Sequence, residues 1–238
     1  MNEEKKIRIL GLTLARGGSK SVPRKNIKPI AGLPLIGYTI TEALKSKFIT
    51  RYIVSTDDEE IRQVAIECGA DAPFLRPREF STDEASSVSA MQHAVDWIEQ
   101  QEEVKYDYIV ELMCTNPMKS AEDIDASIEK LISTQADSVI AVHQLEDHHP
   151  ARIKKIVDDK IVDFCIAEIP ESRRQDLMPE AYIRSGSIYA LKRDYLMNDG
   201  KRYGSDNSRP YILPPERSVN IDTEIDFMIA ELMINKQV

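Results

Sequence analysis

Apolar residues recur along this chain in two alternating rhythms. The run 7–14, followed closely by Gly17-Gly18, is β-rich and reads as a buried strand. Leu35, Ile36, Ile40, Ala43 and Leu44 then fall at helical spacing and predict a helix over 34–45. Residues 52–55 predict a second strand that ends in the polar turn Thr56-Asp57-Asp58. Asp57 or Asp58 caps a helix over 59–68, and Gly69 stands where a helix stop belongs. The rhythm repeats in a helix over 86–100, with Val88, Met91, Ala94, Val95 and Ile98 on one face. A strand over 108–113, a helix over 121–133 and a strand over 138–142 follow. This order predicts an α/β, Rossmann-like fold with a mostly parallel sheet and helices on both faces. Ligands of such folds bind beyond the carboxyl ends of the strands.

Between residues 143 and 182 the rhythm breaks. Short strands over 153–157 and 160–164, joined by Asp158-Asp159, give a hairpin signal, and a charged run over 171–176 follows. Alternation resumes with a strand over 187–191 and a closing helix over 224–233. No repeat, low-complexity segment or long linker divides the chain. The expectation is one domain over 1–238, with 143–182 as an excursion serving oligomerisation.

Composition narrows the functional classes. A chain of 238 residues with 42% hydrophobic and 30% charged residues can bury a sizeable core. Its net charge of -9 argues against a broad nucleic-acid face. No segment is apolar for long enough to span a bilayer, and the N-terminus lacks a secretory signal, so a cytoplasmic protein without a membrane partner is expected. Cys68, Cys114 and Cys165 show no zinc-ligand spacing and read as buried small hydrophobes.

Against that acidic background, residues 14–26 stand out. Gly17 and Gly18 permit close backbone approach and positive φ, and Arg16, Lys20, Arg24 and Lys25 add positive charge within one short loop. A triphosphate site needs both features, although a solvated basic turn has the same composition. The loop matches neither the P-loop nor the dinucleotide fingerprint.

The stretch LARGGSKSVPRKNIKPIAGLPLIGYTI contains the pattern A-R-x-x-S-K-x-x-P-x-K-N. YIVSTDDEEI, FLRPREFSTDEASSVSAMQHA, TNPMKSAEDID, LEDHHPARI, RRQDLMPEAY, SGSIYA and NIDTEIDF follow it in order. Together these resemble the N-acylneuraminate and related nonulosonic-acid cytidylyltransferases over nearly the whole chain. The resemblance implies a homodimeric enzyme that uses CTP with Mg²⁺ or Mn²⁺. CMP would pass to the anomeric hydroxyl of a sialic-acid-like sugar acid, with release of pyrophosphate.

It also implies roles for individual residues. Arg16, Lys20 and Lys25 would hold the CTP phosphates, with Gly17, Ser19 and Asn26 against the nucleotide. Arg76 would read the cytosine edge beside the backbone of Ala85, and Ser87 would touch the nucleoside. Asp222, with Asn220 beside it, would take the metal; Arg16, Lys20 and Asp222 form the implied catalytic set. Met113, Thr115, Arg173 or Arg174, Ser185 and Tyr189 would face the sugar acid, and Arg184 is a further candidate for its carboxylate.

Three positions depart from the resembled pattern. Met113 replaces a polar residue, Ser185 precedes Gly186 where many relatives have Asn, and Asn220 replaces the first Asp of an Asp-Ile-Asp run. The first two touch sugar identity. The third removes one anionic metal ligand. Two rival readings stay open: a nucleotidyltransferase of the same fold with another nucleotide, and a nucleotide-binding protein without chemistry. His148-His149 reads as structural rather than as a metal pair, and His93 as a core or interface residue.

Overall fold

The computed structural model describes residues 6–19, 21–145 and 148–237. In chain order, β1 (Ile9–Leu14) leads through the glycine loop to a small hairpin, β2 (Pro29–Ile30) and β3 (Leu33–Pro34). Then come α1 (Leu35–Lys45), β4 (Arg51–Ser55), α2 (Glu59–Glu67), α3 (Ser87–Glu102), β5 (Tyr108–Leu112), α4 (Ala121–Ser133) and β6 (Ser138–Gln144). A hairpin of β7 (Lys154–Val157) and β8 (Lys160–Asp163) precedes β9 (Tyr182–Lys192), α5 (Arg193–Met197), β10 (Ser208–Ile212) and α6 (Glu224–Gln237).

The main sheet has the order β10-β6-β9-β5-β1-β4. β1 pairs in parallel with β4 and β5, and β10 with β6, while β9 runs antiparallel to both β5 and β6. The carboxyl ends of β1, β4, β5, β6 and β10 therefore share one edge. The α/β architecture matches the sequence pattern, but β9 is twice the expected length and reversed. β10 escaped notice because Arg209 and Pro210 interrupt its apolar pattern, which an edge strand tolerates.

Strand alternation divides the core between the two faces. Ile9, Val54, Val110 and Val139 meet Ile36 and Ile40 of α1, Ile61 of α2 and Ile124 and Ile128 of α4. Their neighbours Leu10, Ile53, Ile109 and Ile140 meet Met91, Val95 and Ile98 of α3 on the other face. A third cluster joins Phe227, Ala230 and Ile234 of α6 to Val22, Ile30, Leu35, Met118 and Ile221. That cluster brings the C-terminal motif against the N-terminal loop.

Caps fix where these helices start. Asp58, rather than Asp57, accepts from the amides of Glu60 and Ile61. Ser86 accepts from Ser89, so Ser87 is the first residue of α3 and not its cap. Ser120 and Asp123 form a capping box on α4.

The β7–β8 turn has positive φ at both Asp158 and Asp159, as a type I′ connection requires. Around it Ile156, Ile161 and Ile169 are more than three-quarters exposed. Cys165 is exposed too, contrary to the expectation of three buried thiols, whereas Cys114 is buried. Among the described residues, no helix is long and apolar enough to cross a membrane.

Candidate functional site

At the carboxyl edge of the sheet, two adjoining cavities of about 320 and 340 Å³ share Leu14, Arg16 and Met113 as walls. One extends to Arg76, Ala85, Ser87 and Glu111. The other extends to Ser19, Lys25, Asn26, Thr115 and Asp222. The fold thus gathers into one groove most of the residues that the sequence placed at the nucleotide. Lys20, expected on the phosphates, lies outside the described residues.

The glycine loop works by close approach rather than by left-handed backbone. Neither Gly17 nor Gly18 has positive φ, contrary to expectation; Arg24 holds the left-handed position instead, at 54°. A Cβ on Gly17 would stand 2.6 Å from Asp58 Oδ2, so only glycine fits there. The Gly17 amide donates to Asp57 Oδ1 at 3.0 Å. Arg16 donates to Asp83 at 2.9 Å, and Arg24 is paired with both Asp58 and Glu60. A phosphate entering here would compete with these carboxylates for the same cations.

Asn26 is 7% exposed and serves as a brace. Its Nδ2 donates to the Arg16 carbonyl at 3.0 Å, and its Oδ1 accepts from the Cys114 thiol at 3.0 Å. Lys25 reaches the C-terminal arm, donating to the Ile221 carbonyl at 2.6 Å and to Asp222 Oδ1 at 3.3 Å. Arg76, 5% exposed, donates Nε to Ser81 Oγ at 3.0 Å and lies 3.8 Å from Asp57. Burial draws its pKa down, Asp57 acting against that. A guanidinium desolvated in this way and aimed into a cavity is suited to a planar, acceptor-rich ring edge.

The metal-side residues fit a one-carboxylate arrangement. The side chain of Asp222 is 69% exposed. Among the described residues, no group of three or more His, Cys, Asp or Glu is arranged to hold a metal ion by itself. A divalent ion there would be held by Asp222 and completed by phosphate oxygens and water, the usual habit of Mg²⁺. Asn220 donates Nδ2 to Asp222 Oδ2 at 2.6 Å, while its buried Oδ1 lacks a partner among the described residues and stands 3.2 Å from where a Cβ on Gly186 would lie. In this orientation the amide nitrogen, not the expected carbonyl oxygen, meets Asp222. Turning the amide over would put both oxygens together.

The sugar-side residues divide. Met113 and Thr115 line the groove. Ser185 does not: it is buried and donates to the Ala141 carbonyl, which sits at the irregularity in the β6–β9 ladder. Tyr189 is buried beneath Arg202, whose guanidinium lies 4.4 Å from the ring centroid. Arg173 pairs with Asp176 on the excursion, and Arg174 lines a separate cleft with His149 and Met178. Within one chain neither reaches the groove. Arg184 stacks on Tyr203 at 4.5 Å.

Sequence reasoning missed two buried groups beside this groove. Glu111, 2% exposed, lines it and is ion-paired to Arg202 at 2.5 Å. Its only signal was a lone acid inside the apolar run YIVEL. Lys119, 1% exposed, lies under the turn that carries Met113 and Thr115. His149 and His93 fit the structural and packing roles expected of them. His149 Nε2 meets the Pro179 carbonyl while Nδ1 accepts from Ala151, and His93 packs between Phe74 and Phe80.

Comparison with known proteins agrees with this geometry. A pseudaminic acid cytidylyltransferase of Campylobacter jejuni is 33% identical over 92% of this chain and 93% of its own. A CMP-N,N'-diacetyllegionaminic acid synthase of the same species is 30% identical over 95% of each. The solved structure of a CMP:2-keto-3-deoxy-manno-octonic acid synthetase complexed with CTP covers 97% of this chain and all of its own. Its TM-score is 0.71 at 19% identity, a likeness of fold. The cytidylyltransferase family model matches residues 10–224, and the chain belongs to that family.

Proposed function

We propose that this protein transfers CMP from CTP to the anomeric hydroxyl of a nonulosonic, sialic-acid-like sugar acid and releases pyrophosphate. The observation that carries this reading is the joined groove. Arg16 stands at the junction of a pocket that ends on buried Arg76 and one that ends on Asp222. A cytosine against Arg76, Ala85 and Ser87 extends its phosphates past Arg16 toward Lys25 and Asp222. The sugar hydroxyl then approaches the α-phosphorus along the Met113–Thr115 turn.

Catalysis in this arrangement is positioning and charge neutralisation. Arg16 and Lys25 offset charge on the departing pyrophosphate, and Lys20 belongs with them by its place in the loop. Mg²⁺ or Mn²⁺ on Asp222, when bound, supplies Lewis-acid neutralisation of the phosphate oxygens.

The excursion supports a homodimer. Ile156, Ile161, Phe164, Ile169 and Met178, each at least 60% exposed, form an apolar surface that a second copy would cover. In such a dimer Arg173 or Arg174 serves the partner's sugar site, which agrees with their distance from the groove of their own chain. Three unpaired cysteines agree with a reducing, cytoplasmic setting. The net charge of -9 disfavours nucleic acid and anionic membrane surfaces as partners.

Pyrophosphate release tests the reading, measured with each of CTP, GTP, ATP and UTP against pseudaminic, legionaminic, N-acetylneuraminic and octulosonic acids. Turnover restricted to CTP and one or more of these acids is the expected result. Turnover with another nucleotide, or CTP binding without turnover at any metal concentration, would overturn it.

A further inference from the structure

Among the described residues, Lys119 is the largest fully buried side chain. Its Nζ donates to three oxygens: Thr39 Oγ1 on α1 at 2.8 Å, the Met113 carbonyl at 2.8 Å and the Asn116 carbonyl at 2.5 Å. An ammonium has three N–H groups and no acceptor, so the match is complete. Among the described residues, no carboxylate bonds to it. Burial lowers the Lys119 pKa to about 7, and Cys114, Glu42 and Asp123, the charged or titratable groups around it, act in the opposite direction.

A buried charge hydrogen-bonded only to neutral groups is costly. A residue that merely filled this space would be apolar, as Met118 beside it is. What the ammonium does instead is clamp both ends of one turn. Met113 and Asn116 bracket Cys114 and Thr115, and each member of that turn touches another part of the site. Met113 and Thr115 line the groove. The Cys114 thiol donates to Asn26 Oδ1, and the Thr115 carbonyl accepts from the Ile221 amide at 2.8 Å, one residue before Asp222. Asn116 Nδ2 donates to the Arg217 carbonyl at 3.1 Å, farther back on the same C-terminal arm.

We infer that Lys119 is a positioning residue for the reaction: its ammonium fixes the Met113–Asn116 turn, and through that turn the acceptor side of the groove relative to Asn26 and Asp222. It touches no substrate. It makes no bond to Arg76, Ala85 or Ser87, and of the turn it fixes only Met113 borders the cytosine cavity, so the cytosine end depends on it less than the acceptor side does. The inference rests on the cytidylyltransfer reading above. It predicts a particular asymmetry, with the sugar acid's transfer impaired and CTP binding spared.

The test uses three variants of the full chain, assayed at a temperature where circular dichroism shows each one folded. Lys119→Met keeps the length of the side chain and removes all three bonds. It should lower kcat/KM for the sugar acid on the order of 30-fold, the scale of a sub-ångström misplacement of reacting groups. CTP dissociation constants from calorimetry should stay within about threefold, because the phosphate cations and Arg76 remain. Lys119→Arg retains charge and donors and should recover most of the loss. Thr39→Val removes one acceptor but leaves both carbonyl bonds, and should stay within about threefold of wild type.

Wild-type kcat/KM for the sugar acid in folded Lys119→Met overturns the inference. So does an equal loss of CTP affinity, or a loss in Thr39→Val as large as in Lys119→Met, since either would mark Lys119 as a packing residue only. Absence of wild-type turnover in the same assay refutes the cytidylyltransfer reading itself, and the inference with it.

Discussion

Lys25 and Asp222 stand 3.3 Å apart, Nζ to Oδ1, although 197 positions separate them in sequence. With the Ile221 carbonyl on the same ammonium, this contact joins the glycine loop after β1 to the arm before α6. The loop and arm that border the groove therefore form one unit, and its parts can be perturbed separately.

Arg16→Ala should lower turnover roughly a hundredfold, the usual scale for removing one preorganised charge-stabilising donor. Its side chain is 41% exposed and its partner Asp83 is 44% exposed, so thermal stability should barely change. Pyrophosphate release and a melting curve on one preparation check both halves. An unchanged rate would remove Arg16 from the phosphate site.

Asp222→Ala should abolish activity. Asn220→Asp should retain it and lower the magnesium concentration needed for half-maximal rate, because a second carboxylate then faces the ion. Metal titrations of both variants decide the matter. Normal metal dependence in Asp222→Ala would mean that this arm holds no ion.

An Arg174→Ala subunit mixed with an Arg16→Ala subunit should regain activity in the heterodimer, since one of its two sites carries neither substitution. Sedimentation should show a dimer at micromolar concentration, and removal of residues 153–164 should shift it toward monomer. A fully active monomer would contradict the assignment of the exposed apolar surface.

Acid should unfold the protein partly through Asp123. Burial alone would raise its pKa, but the forked bond from Arg217, the Ser120 amide and the Tyr211 hydroxyl outweigh it and hold the group below its ordinary value of 3.8. A depressed carboxylate contributes stability above its unfolded pKa and loses that contribution as pH falls through the folded value. Asp123→Asn should therefore be less stable near neutrality, and its urea midpoint should fall less steeply between pH 5 and pH 3. Parallel slopes would assign acid lability to other carboxylates.

How much of this was legible beforehand depended on the range of the interactions. Helix boundaries at Asp58, Ser86 and Ser120 follow local capping chemistry, and α4 begins and ends where the pattern predicts. Groove residues 16, 25, 26, 76 and 222 were legible as motifs, and the sheet edge then brought them together. The reversed direction of β9 was not, since period-2 alternation is identical in either direction. Nor was the Glu111–Arg202 pair, because nothing local to YIVEL or to Lys201-Arg202-Tyr203 announces a partner 91 positions away. The family resemblance implies a sugar contact for Ser185, yet the irregular β6–β9 ladder claims its hydroxyl.

The place of β9 also dictates an order of events during folding. β5 and β6 are not neighbours; β9, made some 38 residues after β6 ends, lies between them. A nascent chain can pair β1 with β4 and β5 as soon as these emerge. β6 stays without its inner partner until residue 192 is synthesised, and β10 must then close the edge. Closing such separated pairings is slow, and the waiting strand SVIAVHQ is short, apolar and β-branched. Chains truncated before residue 182 should expose that strand and aggregate, while chains ending just after β10 should remain dispersed. The reversed strand thus makes the final quarter of the polypeptide its own gatekeeper against misassembly.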